Sequence, residues 1–330
     1  MSISENTKQL LTLLADGQFH SGTELARVLA ISRTAVWKHL QALAELGVEV
    51  AAVSGKGYKL QRPLYLLDNR QIEAHLDERT GSLISRIDIH AMISSTNAYL
   101  SDIAQRLAVS GQVCLAEYQT AGKGRRGRSW VSPFGHNIYL SILWLYPDGP
   151  AAIAGLSLAM GVAVVRALRK LGVDEVGLKW PNDIYWRDRK LGGILIEVSG
   201  ESGGPCHAVI GLGLNIYLPQ SQAETIEQAW VDLRQILGDG IVAQRNRLVA
   251  LLLNEMLPIM ADFNPHALPD YVREWRGFDC MQGRAVAIFI GQQRFEGVVS
   301  GVDDQGLLLL EDGNGQVRPF ASGEVSFRAS

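Results

Sequence analysis

Apolar positions recur every three or four residues in three short stretches at the start of the chain: Leu10, Leu11 and Leu14, then Leu25, Val28 and Leu29, then Val36, Leu40 and Leu43. That spacing puts each set on one face of a helix. Gly17 is placed to end the first helix and Gly47 the third. Ser21-Gly22-Thr23-Glu24 reads as a capping box opening the second, and Ser32 can cap the third. The third helix then turns Arg33, Thr34, Trp37, Lys38 and Gln41 outward. Alternation replaces helical spacing at Val48-Glu49-Val50 and Tyr58-Lys59-Leu60, around Ser54-Gly55-Lys56-Gly57, which predicts a hairpin with a basic tip. Two helices joined by a short turn, the second displaying Arg, Thr, Lys and Gln, fit a major groove, and Lys56 in the wing would reach the phosphate backbone. The same shape also serves as a protein-interaction module. One copy makes few contacts, so specific DNA binding is expected to need a dimer.

Gln61-Arg62-Pro63 reads as a linker, and beyond it strands alternate with helices. Strands are expected over 87–90, 113–118, 137–144, 178–185, 190–197 and 209–216, the one at 137–144 apolar enough to be buried on both faces. Ser94-Ser95-Thr96-Asn97 precedes Tyr99, Leu100, Ile103 and Leu107 at helical spacing. Residues 151–171 form a helix that is apolar nearly all round until Arg166, Arg169 and Lys170. Residues 218–229 are polar and without period, a loop that could be mobile, and Leu248 to Met260 is an amphipathic helix. Past residue 277, five short strands separated by Gly-containing turns predict a small SH3-like β-barrel. The expected architecture is a winged helix-turn-helix over 1–62, a mixed α/β domain over 63–275 and the barrel over 276–330.

A net charge of −3, with 47% hydrophobic and 20% charged residues, fits an ordinary globular protein and alone excludes little. Split at Arg62 the balance is +2 before and −5 after, so the first segment is basic in an acidic chain. Cys114, Cys206 and Cys280 match no metal spacing and are too few for a disulfide framework. The N-terminus lacks a signal-peptide pattern, and the apolar run at 151–165 is too short to cross a bilayer. A cytoplasmic protein with no membrane partner is expected.

The chemistry concentrates in Ala121-Gly122-Lys123-Gly124-Arg125-Arg126-Gly127-Arg128-Ser129-Trp130, where no carboxylate between 118 and 147 offsets the cations. Glycines let the backbone close on a bound group while Lys and Arg supply fixed charge, which suits an anion. A solvated basic loop is the alternative. Lys190, followed by Gly192 and Gly193 at the start of an apolar strand, reads either as an ammonium aimed at an anion or as a strand-end lysine. Trp230 is either core or a platform for an adenine ring. The chain has no P-loop, no dinucleotide fingerprint in its expected setting and no His-Glu-x-x-His.

Ser95-Thr96-Asn97, Glu117-Tyr118-Gln119 leading into 122–128, Lys179-Trp180-Pro181-Asn182-Asp183, Lys190-Leu191-Gly192-Gly193-Ile194-Leu195 and Gly211-Leu212-Gly213-Leu214-Asn215, in that order, resemble the biotin protein ligases. With the winged helix in front and the barrel behind, the chain is similar to the bifunctional bacterial form, biotin ligase and biotin operon repressor, over essentially its whole length. The resemblance implies that ATP and biotin are substrates, with Mg²⁺, giving biotinyl-5′-adenylate and then biotin on a lysine of the biotin carboxyl carrier protein. It implies a biotin site of Ser95, Thr96, Asn97, Gln119, Lys123, Gly124 and Arg125, with Lys190 and Arg125 catalytic. Arg126, Arg128, Lys179, Asn182, Asp183, Asn215 and Trp230 would serve the nucleotide, and no residue is assigned as a protein metal ligand. Operator DNA would meet Arg33, Thr34, Trp37, Lys38, Gln41 and Lys56 of a ligand-dependent homodimer. The family's loop usually has Arg where Lys123 stands, so a bidentate contact there would be lost. A ligand-sensing repressor without ligase activity and a lipoate-type ligase are the alternatives.

Overall fold

The computed structural model of the chain describes residues 4–327, apart from 108 and 202. Three helices open it, α1 (Glu5–Leu14), α2 (Gly22–Val28) and α3 (Arg33–Glu45). Each starts where a serine hydroxyl accepts a first-turn N–H that has no partner inside the helix: Ser4 from Thr7, Ser21 from Glu24 and Ser32 from Ala35. Leu10, Leu14, Leu25 and Leu43 are fully buried between them. The wing is the hairpin β1 (Val50–Val53) and β2 (Gly57–Leu60), with Val50 opposite Leu60. Its first strand lies two residues later than the alternation at 48–50 predicts. Val48 instead donates its N–H to Leu43 O at the end of α3 and packs into the helical core. Gly57 is required where the wing meets the helices, because a Cβ there would lie 2.1 Å from His20 O.

After the linker come α4 (Asn69–Glu73) and α5 (Glu78–Leu83), and then a seven-stranded sheet. Its strands are β3 (Arg86–His90), β4 (Gln112–Ala116), β5 (Ile138–Tyr146), β6 (Val176–Lys179), β7 (Asp183–Trp186), β8 (Arg189–Gly200) and β9 (Cys206–Leu214), in the order β3-β4-β5-β9-β8-β7-β6. Only β3 and β4, joined through α6 (Thr96–Arg106), run parallel. Leu100 and Ala104 of α6 pack on Cys114, Leu143 and Val209, closing one face of the sheet. The other face is covered by α7 (Leu156–Lys170), and beyond β9 the chain adds α8 (Gln220–Ala223), α9 (Leu233–Leu237), α10 (Arg245–Asp262) and α11 (Leu268–Arg276). Residues 218–229 are therefore not loop throughout, since α8 forms inside them.

With the 3₁₀ turn before it, α7 makes a 21-residue helix, Pro150–Lys170, long and apolar enough by length and composition to cross a membrane, which corrects the shorter run read from sequence. Its composition has another cause: α7 lies against α10, α11 and the sheet, and 67% of the apolar window is buried.

The last five strands, β10 (Ala285–Ile290), β11 (Gln293–Val302), β12 (Leu308–Glu311), β13 (Val317–Phe320) and β14 (Glu324–Phe327), form an antiparallel SH3-like sheet in which β14 returns beside β10. Arg328, the end of the last expected strand, lies outside the described residues. Val286, Ile288, Val299 and Leu308 share one core with α7 and α11. Likewise Phe134, from the central part, is buried among the winged-helix leucines.

Burial, reinforced by Arg245 and Arg62, pushes the His136 imidazole down to about 4. The unfolded imidazole takes up a proton near pH ~6.5 that the folded one refuses. Stability therefore falls as pH drops from about 6.5 toward 4, where the unfolded state binds more protons. His136→Gln is expected to flatten that part of the unfolding free energy measured against pH in urea. A curve unchanged by the substitution would contradict the assignment.

Candidate functional site

A cavity of about 1050 Å³ opens over β5, β8 and β9, at the N-terminal end of α6. Its floor is Gly211, Leu212 and Gly213, its walls include the basic loop, and residues 225–229 and 323–326 ring the mouth. The floor is made low by glycine. A Cβ on Gly213 would lie 2.4 Å from the Trp130 ring, and one on Gly211 would lie 2.2 Å from Asn97 Oδ1.

One end of the cavity is lined by neutral polar side chains that are tied, at their edge, to the Glu197–Lys123 pair. Ser95 spends its hydroxyl on capping α6, accepting from Ala98 N–H. Gln119 Oε1 accepts from Thr96 N at 2.9 Å, while Ser141 Oγ donates within reach of Thr96 Oγ1 at 2.7 Å and Asn97 Oδ1 at 2.6 Å. Asn97 Nδ2 donates to Glu197 Oε2 at 2.8 Å, and Lys123 Nζ lies 3.9 Å from the other oxygen of Glu197. Ser95, Thr96 and Asn97 are all buried, so this network is fixed before any ligand arrives.

The other end is charged. The basic loop folds back on itself, with Gly124 N donating to Arg128 O at 2.7 Å and Trp130 N to Gly122 O at 2.8 Å. Its tip passes through Arg126 at φ 55° and Gly127 at φ 75°. Arg125 Nη1 donates to Asn182 Oδ1 at 3.0 Å. Lys190 Nζ pairs with Asp183 Oδ1 at 2.8 Å, both side chains largely buried, and stands 5.6 Å from the Trp130 ring centroid. Burial pushes the pKa values of Lys179 and Arg125 down, opposed in each by Asp183. Arg125 keeps its charge regardless, because guanidinium starts so high.

Thirteen of the residues assigned from sequence line this one cavity: Ser95, Thr96, Asn97, Gln119, Lys123, Gly124, Arg125, Arg126, Arg128, Lys179, Asn182, Asp183 and Lys190. Asn215 and Trp230 do not. Asn215 is buried and donates to Val231 O at 3.2 Å, while Ala229 and Val231 make backbone hydrogen bonds on either side of Trp230 to Lys190. Both residues fasten the segment after the polar stretch to the sheet, and it is 225–229 that face the cavity.

Sequence reasoning missed Glu324. It pairs with Arg126 at 3.6 Å and with Arg128, and the neighbouring carbonyl of Gly323 accepts from Arg125 at 3.4 Å. The carboxylate absent from the loop's own surroundings in sequence is supplied from nearly two hundred residues away, where no local pattern marks it. Trp130, whose buried Nε1 has no acceptor among the described residues, was visible only as the end of the basic run.

On the winged helix, Arg33, Thr34, Trp37, Lys38, Gln41 and Lys56 are all exposed, Trp37 by 54%. The Lys56 ammonium rests 5.8 Å from the Phe19 ring centroid. Trp37 and Gln41 also line a groove closed by Gln222 of α8.

Three family models match in this order: an HTH domain over 6–59, the biotin/lipoate A/B protein ligase family over 89–215 and the biotin protein ligase C terminal domain over 283–328. The bifunctional ligase/repressor BirA of Escherichia coli (strain K12) is 43% identical over 98% of this chain and 97% of its own length. This chain belongs to the biotin protein ligase family. BirA of Bacillus subtilis (strain 168) is 31% identical over 93% of the chain and 94% of its own. Among solved structures, the biotin protein ligase from Aquifex aeolicus in complex with biotin and ATP has 25% identity and a TM-score of 0.61, covering 75% of this chain and 100% of that one.

In this biotin protein ligase the floor glycines are a strict requirement. Gly211→Ala is expected to drive Asn97 from its hydrogen bonds to Ser141 and Glu197 and to lower the unfolding free energy by about 1–3 kcal/mol. Urea denaturation checks this, and a loss below about 0.5 kcal/mol, within the range of a neutral surface change, would contradict it.

Proposed function

We propose that the chain joins biotin to ATP as biotinyl-5′-AMP and passes the biotin to a lysine of the biotin carboxyl carrier protein of acetyl-CoA carboxylase. The observation that carries this reading is the single cavity with a preset neutral hydrogen-bonding end and a cationic end meeting at Lys190. The neutral end, with Thr96, Asn97, Gln119 and Ser95 at the start of α6, suits an uncharged cyclic urea whose N–H groups donate and whose carbonyl accepts. The Trp130 ring, packed on Gly213, and Leu212 give the same cavity an apolar lining suited to an apolar ring and chain.

At the charged end the biotin carboxylate oxygen attacks the α-phosphorus of ATP. A new oxygen–phosphorus bond forms, and the bond to the departing pyrophosphate breaks. Two anions approach, so fixed cations must offset their repulsion and the charge that grows on the phosphoryl oxygens. In this reading Lys190, paired with Asp183, and Arg125, bonded to Asn182, meet the carboxylate and the α-phosphate, while Arg126, Arg128 and Lys179, which line the same cavity, serve the polyphosphate. In the second step a carrier lysine attacks the acyl carbon, AMP leaves with the bonding electrons, and the amine proton goes to solvent. The substrates bring both nucleophiles, so positioning carries most of the catalysis. Among the described residues no three His, Cys, Asp or Glu side chains gather to hold a metal ion. Mg²⁺ carried on the polyphosphate would supply charge neutralisation there, with Asp183 and Asp188 among the carboxylates lining the cavity.

With the adenylate bound, the chain dimerises in the cytoplasm and its two winged helices repress the biotin operon. The exposed Arg33, Thr34, Trp37, Lys38 and Gln41 of α3 read the groove while Lys56 touches phosphate.

Lys190→Ala is expected to cut biotin-dependent adenylate formation by about 10²–10³-fold, as loss of a transition-state charge contact does, with the far-ultraviolet spectrum unchanged. Undiminished formation of labelled biotinyl-AMP would remove Lys190 from its role. Lys38→Ala is expected to weaken operator binding by about 1–3 kcal/mol with a normal rate of carrier biotinylation. Equal losses in filter binding and in biotin transfer would point to the fold instead.

A further inference from the structure

Beneath the cavity, one side chain outside it reaches the roots of three functional segments. Arg245, on the first turn of α10, is completely buried. Its Nη1 donates to Tyr65 O at 2.7 Å, in the linker that descends from the winged helix. Its Nη2 donates to Asn137 O at 2.8 Å and lies 2.9 Å from Glu117 Oε2. Glu117 stands two residues before Gln119, and its second oxygen accepts the N–H of Leu67 at 2.5 Å, again in the linker. Asn137 in turn accepts the N–H groups of Ile216 and Tyr217 at 2.9 and 3.2 Å, where the chain turns toward the polar stretch that rims the cavity.

A buried ion pair is a costly way to fasten segments together, since both charges lose their water. Apolar side chains of the same volume would hold them at least as firmly. What the guanidinium adds is direction, because its planar fork selects carbonyl acceptors on the linker and on the Asn137 segment while its charge pairs with Glu117. The network is also incompletely satisfied. Arg245 Nε and Asn137 Nδ2 are buried and have no acceptor among the described residues. Spare donors mean that a second arrangement of the cluster need not lose a hydrogen bond overall, which is what a switchable element requires.

We propose that Arg245 is a positioning residue that couples occupancy of the cavity to the presentation of the winged helix, through Glu117 on the biotin side and Asn137 on the nucleotide side. This rests on the ligase-repressor reading above. The test uses full-length wild type, Arg245→Lys and Glu117→Gln, measuring kcat for adenylate formation and operator affinity with and without biotin plus ATP. The variants are expected to keep kcat within about threefold, while the gain in operator affinity conferred by biotin and ATP shrinks at least tenfold. A ligand-conferred gain equal to wild type overturns the proposal, and so does a fall in kcat and in that gain by the same factor, which marks a smaller folded fraction. If Arg245→Lys does not fold, Glu117→Gln, which keeps the shape of the side chain, decides by the same criteria. A wild type whose operator affinity ignores biotin and ATP would overturn the repressor reading itself, and the proposal with it.

Discussion

Joining a carboxylate to a polyphosphate means bringing two anions within bonding distance, and the arrangement of this molecule follows from that repulsion. Cations must already be in place, and must be held so that they neither drift nor neutralise one another. Lys190 leaves a β-strand rather than a loop and is held by Asp183, while Arg125 is held by Asn182 from the neighbouring turn. Arg126 is restrained by Glu324 and the Phe289 carbonyl, and Arg128 by Glu324. The C-terminal domain thus reaches the basic loop through Glu324 and backbone carbonyls, and its strands share one hydrophobic core with α7 and α11.

Much of this was legible in the sequence because it depends on short-range physics. Ser21 and Ser32 mark helix starts by the same hydroxyl geometry that the structure shows. Where the reading failed, a competing interaction decided. The alternation at Val48-Glu49-Val50 gave way because Val48 is needed at the end of α3. Glu324 and Arg245 could not be found at all from local pattern. Each acts on groups more than a hundred residues away, and only the tertiary fold brings them there.

The division into three parts is softer in space than in sequence. Phe134, which follows the basic loop, is buried among leucines of the winged helix, and Gln222 of α8 closes a groove beside α3. The two activities therefore touch at more than one place, and occupancy of the cavity has a short physical path to the DNA-binding surface. A surface ion pair such as Lys123 with Glu197, by contrast, contributes little on its own.

The reading of the cavity as an adenylation site stands or falls on exchange of labelled pyrophosphate into ATP by the purified chain. Exchange that requires biotin, and that lipoate does not support, is the predicted result. Exchange that is absent with biotin present, or that lipoate drives equally well, would contradict it.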